Sequence, residues 1–313
     1  MTLALWLLAI ALAAAVAAAI GRGWSRMGAS GGPWGTALSR LRRDRAGMWA
    51  LRFLLFVAAV ALLAHWLAPC PDCQHDIIAL ASRPPSLAHP FGTDIYSRDV
   101  LSRLVHGARI SLTVAFLAIL LSITVGTAYG AIAGYAGGRT DSVMMRVIDA
   151  MLSIPRILVL LAIFALWGRV SLGALVLILG LTGWFGTSRL VRAQVLQLKT
   201  EEMVVAARAL GARHRRILWR HILPVVTSTV VVAATLGIGN VIILEAGLSF
   251  LGVGVQPPTA SWGNMISDGS SNVAGMWWMS LFPGLAIVLT VMAFNIIGDA
   301  LRDALDPREI QPA

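Results

Sequence analysis

The sequence predicts an all-α fold, a polytopic membrane helical bundle, and three observations carry that expectation. Hydrophobic residues make up 58% of the 313 and charged residues only 13%, at a mean hydropathy of +0.78, whereas soluble domains carry about 25% charged residues. Seven apolar runs, at 3 to 20, 48 to 68, 109 to 135, 143 to 167, 170 to 192, 222 to 250 and 278 to 301, approach or exceed the length that crosses the hydrocarbon as a helix. The basic residues, finally, sort by membrane side. Placing 21 to 47, 136 to 142, 193 to 221 and 302 to 313 in the cytoplasm puts most arginines and the single lysine, Lys199, inside, while the outside loop from Leu251 to Trp277 has no basic residue. That asymmetry orients the bundle. It also explains the net charge of +10 without a nucleic-acid partner. No run shows the alternating ten-residue pattern of an outer-membrane barrel.

The first run has no basic residue before it and Arg22 and Arg26 after it, the reverse of a secretory signal. It reads as an extra anchor with its amino end outside; a cleaved or peripheral segment is the alternative. Residues 21 to 47 form a glycine- and arginine-rich inner linker attracted to anionic membrane lipids. After the second run, Pro69 to Arg109 lies outside. Its end, SRDVLSRLVHGAR, spaces Val100, Leu101, Leu104, Val105 and Ala108 helically, with Arg98, Asp99, Arg103 and His106 between them. This predicts an amphipathic helix along the outer interface.

The third run carries Gly126, Gly130, Gly134 and Gly138 at intervals of four, a smooth helix face suited to close packing. Pro155 interrupts the fourth run and Pro283 enters the seventh, each freeing backbone groups for a kink or a hinge. Between the fifth and sixth runs lies a charged island, Glu202 to Pro224. There Val205 to Leu210 is good helix-forming sequence closed by Gly211, which accepts the left-handed conformation that ends a helix. Arg213, Arg215, Arg216 and Arg220 follow, and Leu223-Pro224 opens the sixth run, proline being tolerated in a first helical turn.

Candidate chemistry is sparse. Cys70 and Cys73, in CPDC beside Asp72, His75 and His89, suit a small disulfide, free thiols, or a metal or redox site; two cysteines alone favour a structural role and no metal. Charges inside spans need partners or a water-lined face. The spacings of Arg146 with Asp149 and of Asp299 with Arg302 suit structural ion pairs, and Arg156 lies within the fourth span. Glu245, five residues after Asn240 in the outer half of the sixth span, suits either the translocation path and its gate or a structural hydrogen bond. No catalytic constellation is visible. Lys199 follows Leu198, so the phosphate loop G-x-x-x-x-G-K-[ST] is absent, and any ATP would be bound by another subunit.

These residues resemble a family. Ala206-Ala207, Gly211 and Ile222-Leu223-Pro224 resemble the cytoplasmic EAA loop of ABC-importer permeases, with Val205 where that pattern has glutamate and His221 where it has the first isoleucine. HPFGTDIYSRDVLSRLVHGARISL, from His89 to Leu112, is similar to the segment after the first family span in C-type permeases of dipeptide, oligopeptide and nickel importers, with Ser97 at a customary glycine. LEAGLSFLGVGVQPPTASWGNMI, from Leu244 to Ile266, and the apolar segment from Trp277 to Arg308 are similar to the last third of those proteins.

The resemblance covers about 48 to 308. It implies a six-span ABC-importer permease core, with the 1 to 47 segment as one extra N-terminal span and linker and 309 to 313 as a cytoplasmic tail. It implies a multi-pass protein of the bacterial inner membrane. It further implies a homologous B-type permease, two ATP-binding subunits and a periplasmic or lipid-anchored substrate-binding protein as partners. ATP and Mg would sit on the ATPases, and this chain would bind no cofactor. Met203, Val204, Val205, Ala206, Ala207, Arg208, Ala209, Leu210, Gly211 and Ala212 would form the ATPase-coupling helix. Dipeptides or oligopeptides are the implied cargo, with nickel or a metal chelate as the alternative. A secondary transporter would instead show internal repeats and mid-membrane coupling charges, and an embedded enzyme would show a paired nucleophile and base.

Overall fold

The computed structural model describes residues 39–68, 80–168, 170–270 and 272–305. The run 3 to 20, Cys70, Cys73 and the tail 309 to 313 fall outside these. Among the described residues the chain is a bundle of helices with no strand: α1 (Arg45–Leu62), α2 (Ala64–Leu67), α3 (Val100–Ala136), α4 (Gly138–Leu152), α5 (Arg156–Trp167), α6 (Leu172–Leu181), α7 (Phe185–Leu198), α8 (Glu202–Ala209), α9 (His214–Phe250), α10 (Trp262–Ser270) and α11 (Trp277–Leu305). α9 opens with one α turn and a π-helical turn at Leu218–Ile222 before Leu223 and Pro224 start its regular part. Five stretches are long and apolar enough to span a membrane: α1, α3, α6 with α7, α9 and α11. The pair α4 and α5, bent by 72° at Pro155, brings the total to six. These correspond to the six core runs expected from the sequence.

The longest helix, α3, begins where the Asp99 carboxylate accepts the Ser102 N–H at 2.8 Å, an N-cap. Three of its glycines face α7. A Cβ on Gly126 would lie 2.8 Å from the Trp184 carbonyl oxygen, one on Gly130 2.3 Å from that of Ser188, and one on Gly134 2.9 Å from that of Arg192. Such distances exclude any side chain, so the expected groove is the α3–α7 seam. Gly138 is not part of it: α3 ends at Ala136, and a Cβ on Gly138 would meet nothing within 4 Å.

The main core joins Val114, Ala115 and Ala118 of α3 to Leu160 and Phe164 of α5, Leu175 and Leu179 of α6, and Ile242 and Leu248 of α9. A second core lies at the basic end of the bundle, built from Val191 and Val195 of α7, Val204 of α8 and Ile217, Ile222 and Val226 of α9.

Two expectations are corrected. The segment from Arg98 to Arg109 is not a separate interfacial helix, because its helical part is the first turns of α3. Its charges turn inward, since Asp94 binds Arg98 at 2.6 Å and faces Arg103 at 3.6 Å, while Asp268 of α10 lies 3.6 Å from Arg103 and 3.9 Å from Arg98. Burial pushes the Asp268 carboxyl up, against the opposing pull of Arg103 and Arg98. Helical periodicity cannot separate a lipid-facing polar stripe from one buried under a cap. That cap is fastened to α11 by the Trp278 indole N–H donating to the Thr93 carbonyl at 3.1 Å and by Phe91 stacked on Phe282 at 3.9 Å. Ser97 sits buried at a φ of 61°, in the left-handed region that glycine occupies without strain.

The intrahelical pairs are the second correction. Asp149 binds Arg189 of α7 rather than Arg146, and Asp141 takes a two-pronged grip from Arg192. No ion pair joins Asp299 and Arg302 among the described residues. Both carboxylates of α4 find partners across the α4–α7 interface, and at Asp141 the Arg192 guanidinium aligns two N–H groups with one carboxylate.

Replacing Gly130 with valine should drive α3 and α7 apart. A loss of at least about 2 kcal/mol, read as a lower unfolding temperature in detergent and reduced membrane abundance, is the expected outcome; unchanged stability would contradict the seam.

Candidate coupling surface and translocation cleft

At the basic end, α7 runs to Leu198 and the chain turns at Lys199 and Thr200, where the Lys199 ammonium donates to the Gly134 carbonyl at 3.1 Å. This ties the turn to the end of α3. α8 then starts at Glu202 without a side-chain cap and ends by Leu210, and Gly211 follows at a φ of 79°, a left-handed closure. The sequence expectation of a short helix stopped at Gly211 is thus met in the backbone. The helix is held by one side chain: Val204 is fully buried in the second core, with Ala207 and Ala212 packed partly against it.

The other face of α8 is open and apolar. Met203 and Val205 are about half exposed, and Leu210 is 89% exposed. Ala206, Ala209 and Gly211 are also exposed, so nothing bulky stands between this face and a partner. Beside it, the Tyr135 hydroxyl and the His214 ring nitrogen Nδ1 lie 2.8 Å apart, linking the end of α3 to the start of α9. α8 is therefore anchored inward by Val204 and braced on both sides by the ends of spans.

Inside the bundle, the fourth and fifth spans both break. α5 begins at Arg156 behind Pro155, and α6 ends at Leu181 with Thr182 as its C-cap. Arg156 joins the two breaks: its Nη2 donates to the Leu179 carbonyl at 2.6 Å and its Nε to the Thr182 hydroxyl at 3.3 Å. A cleft of about 250 Å³ opens here, lined among others by Ser122, Arg156, Gly183, Thr187, Leu190 and Asn240.

Asn240 and Glu245, considered together from sequence, are separated by the structure. Asn240 is exposed and lines the cleft. Glu245 is fully buried elsewhere, accepting from the Ser111 hydroxyl at 3.0 Å and from Ser249 at 2.7 Å. Ser249 in turn accepts the Val255 N–H at 2.9 Å. The carboxyl thereby ties α9 to α3 and to the loop before α10, an arrangement that suits the structural reading. The five-residue spacing explains the separation, since 500° of helical rotation turns the two side chains about 140° apart.

Arg156 and Ser122 are the site residues that sequence reasoning did not assign. An arginine directly after a proline within an apolar run was the available signal, because both mark a break in a span. Ser122 carried none.

Comparison with known proteins settles the family. Residues 126–311 match the family described as binding-protein-dependent transport system inner membrane component, and residues 32–85 match the N-terminal TM domain of oligopeptide transport permease C. The chain belongs to this permease family. It is 42% identical over 273 residues to a dipeptide transport system permease protein of Bacillus subtilis, covering 87% of this chain and 85% of that protein. It is 38% identical over 275 residues to an oligopeptide transport system permease protein of the same organism, covering 88% and 90%. To an oligopeptide transport system permease protein of Haemophilus influenzae it is 39% identical over 277 residues, covering 88% and 89%. The permease is an inner-membrane subunit of an ABC importer. It works with another permease, ATPases and a substrate-binding protein.

Glu245→Ala in this permease should leave the Ser111 and Ser249 O–H donors without an acceptor beside a cavity and cost about 3 kcal/mol. Glu245→Gln, which keeps the shape and can still hydrogen-bond both, should cost no more than about 1 kcal/mol. Thermal unfolding of the two variants in detergent separates them, and equal losses would show that the hydrogen bonds do not carry the site.

Proposed function

We propose that this chain is the C-type permease subunit of an importer that moves dipeptides or oligopeptides into the cytoplasm by alternating access. The support for the cargo is the identity of 38–42% to dipeptide and oligopeptide permeases over most of the chain. Its spans pair with a homologous B-type permease, two ATPase subunits power it, and a periplasmic or lipid-anchored protein delivers the peptide. ATP and Mg belong to the ATPases.

The observation that carries the mechanism is the shape of α8. It is a short helix rooted by one buried valine, with Met203, Val205 and Leu210 turned outward at the end where the arginines gather. In this reading Met203 to Ala212 is the coupling helix and sits in a cleft of an ATPase. When the ATPases close on ATP, a push on α8 passes through Val204 into Val191 and Val195 of α7 and into Ile217 and Ile222 of α9. Through the close-packed seam it reaches α3. Densely packed interiors transmit displacement rather than absorb it. Glu201 and Glu202, both exposed, stand near the start of the helix in place of the glutamate missing at Val205.

The test uses the complete importer in proteoliposomes. Leu210→Asp and Gly211→Val should each lower peptide uptake per ATP hydrolysed about tenfold or more, the equivalent of about 1.4 kcal/mol of lost coupling, while the subunits still co-purify. Normal coupling in both variants would remove α8 from this role.

A further inference from the structure

The cleft at the paired helix breaks contains a cation for which the transport reading has so far named no task. α5, of 12 residues, spans about 18 Å, so Arg156 at its start lies about that far from the Trp167 end, at the break between α4 and α5. No acidic side chain pairs with it among the described residues, and its two bonds go to the neutral Leu179 carbonyl and Thr182 hydroxyl. A guanidinium has five N–H donors. Capping the end of α6 occupies two and leaves the others available.

A purely structural role for Arg156 does not explain its neighbour. Ser122 is 2% exposed, its hydroxyl has no hydrogen-bond partner, and it lines the same cleft. The two groups converge on one point, because a Cβ placed on Gly183 would be 3.0 Å from Arg156 Nη2 and 3.0 Å from Ser122 Oγ. A buried polar group without a partner is costly, and a ligand or water that reaches it removes that cost. Asn240 lines the same cleft and supplies a carboxamide, and α5 starts there without a side-chain cap, which adds the positive end of a half-helix. An unpaired cation, an unsatisfied hydroxyl and a carboxamide lining one cleft of about 250 Å³ form a receptor for a planar anion.

We propose that Arg156, Ser122 and Asn240 form a carboxylate-binding station within the membrane, where the carboxylate of the transported peptide rests during passage. The naming of the peptide rests on the function proposed above; the carboxylate site rests on the cleft. Arg156 meets the carboxylate with charge-assisted N–H bonds, Ser122 donates its free hydroxyl, and Asn240 donates its amide N–H. Because every donor is neutral except Arg156, binding is weak enough to be transient.

The test uses the complete importer carrying Leu190→Cys, a reporter on the cleft wall outside the three donors. Its thiol is modified with a carboxylate-bearing and with a neutral methanethiosulfonate of similar size, and the rates are read at position 190 by peptide mass spectrometry. After correction for the intrinsic reactivity of each reagent, the carboxylate reagent should react about tenfold faster, the factor for one charge-assisted hydrogen bond. That preference should vanish in Leu190→Cys with Arg156→Gln and persist with Arg156→Lys. Equal rates without any substitution at Arg156 would overturn the station even if Arg156→Gln failed to assemble, and so would a preference that survives Arg156→Gln. Dipeptide uptake by the same reporter importer is scored separately. Uptake without a carboxylate preference overturns the station and leaves the peptide function standing; a preference that depends on Arg156 without uptake supports the station and overturns the peptide as its occupant.

Discussion

In a bilayer, lipid tails are as apolar as leucine, so helices gain little by hiding apolar side chains from lipid and are held instead by close contact and by polar pairing. The α3–α7 seam is where this permease meets that constraint. Gly126, Gly130 and Gly134 let the backbone of α3 approach carbonyls of α7 to distances that no Cβ would allow. Once the two helices touch, the rest of the basic end follows. Arg192 reaches Asp141, Lys199 reaches the Gly134 carbonyl, and Val191 and Val195 present the apolar floor on which Val204 seats α8. An α8 on a looser seam would have no firm base against which to pass a force.

The opposite end uses a different device for the same problem. There the chain caps the bundle with an irregular segment, and irregular backbone needs partners for its polar groups. Asp94 supplies several at once, accepting the N–H groups of Tyr96 and Arg98 at 2.8 Å each and binding the Arg98 side chain. Arg103, Asp268 and the Trp278 indole complete the set. Glu245 does similar work deeper in, joining α3 and α9 through serine hydroxyls. Buried charge here serves assembly, whereas the charge at Arg156 is held at a break and faces a cleft.

Much of the bundle was legible because membrane physics writes plainly in sequence. A span must be apolar over a known length, so the six core runs could be located, although α3 starts at Val100 and α9 at His214, well before the runs at 109 and 222. The glycine interval, the break at Pro155 and the short helix closed by Gly211 were readable for equally local reasons, since each depends on the backbone or on missing side chains. Less legible were the partners of charges. Spacing offered Arg146 for Asp149, but Arg189 on another helix took it. The amphipathic pattern from Arg98 to His106 was real, yet its polar face met Asp94 and Asp268 rather than lipid headgroups. Asn240 and Glu245 shared a short stretch and a polar character, and only helix rotation separated the cleft from the core.

By itself the sequence determined that this chain is a helical membrane protein, where its spans lie, where its basic end lies, and that its motifs are those of an importer permease. The helical membrane character, the spans and the basic end follow from composition, periodicity and the local demands of turns, all of which are properties of neighbouring residues, whereas the importer motifs are read by their resemblance to a family. Only the tertiary structure decided that Arg156 and the unpartnered Ser122 hydroxyl stand around one cleft while Glu245 is sealed away from it. The reason is physical: Ser122 and Arg156 lie on different helices, and their meeting point is set by how those helices pack, which no local pattern records.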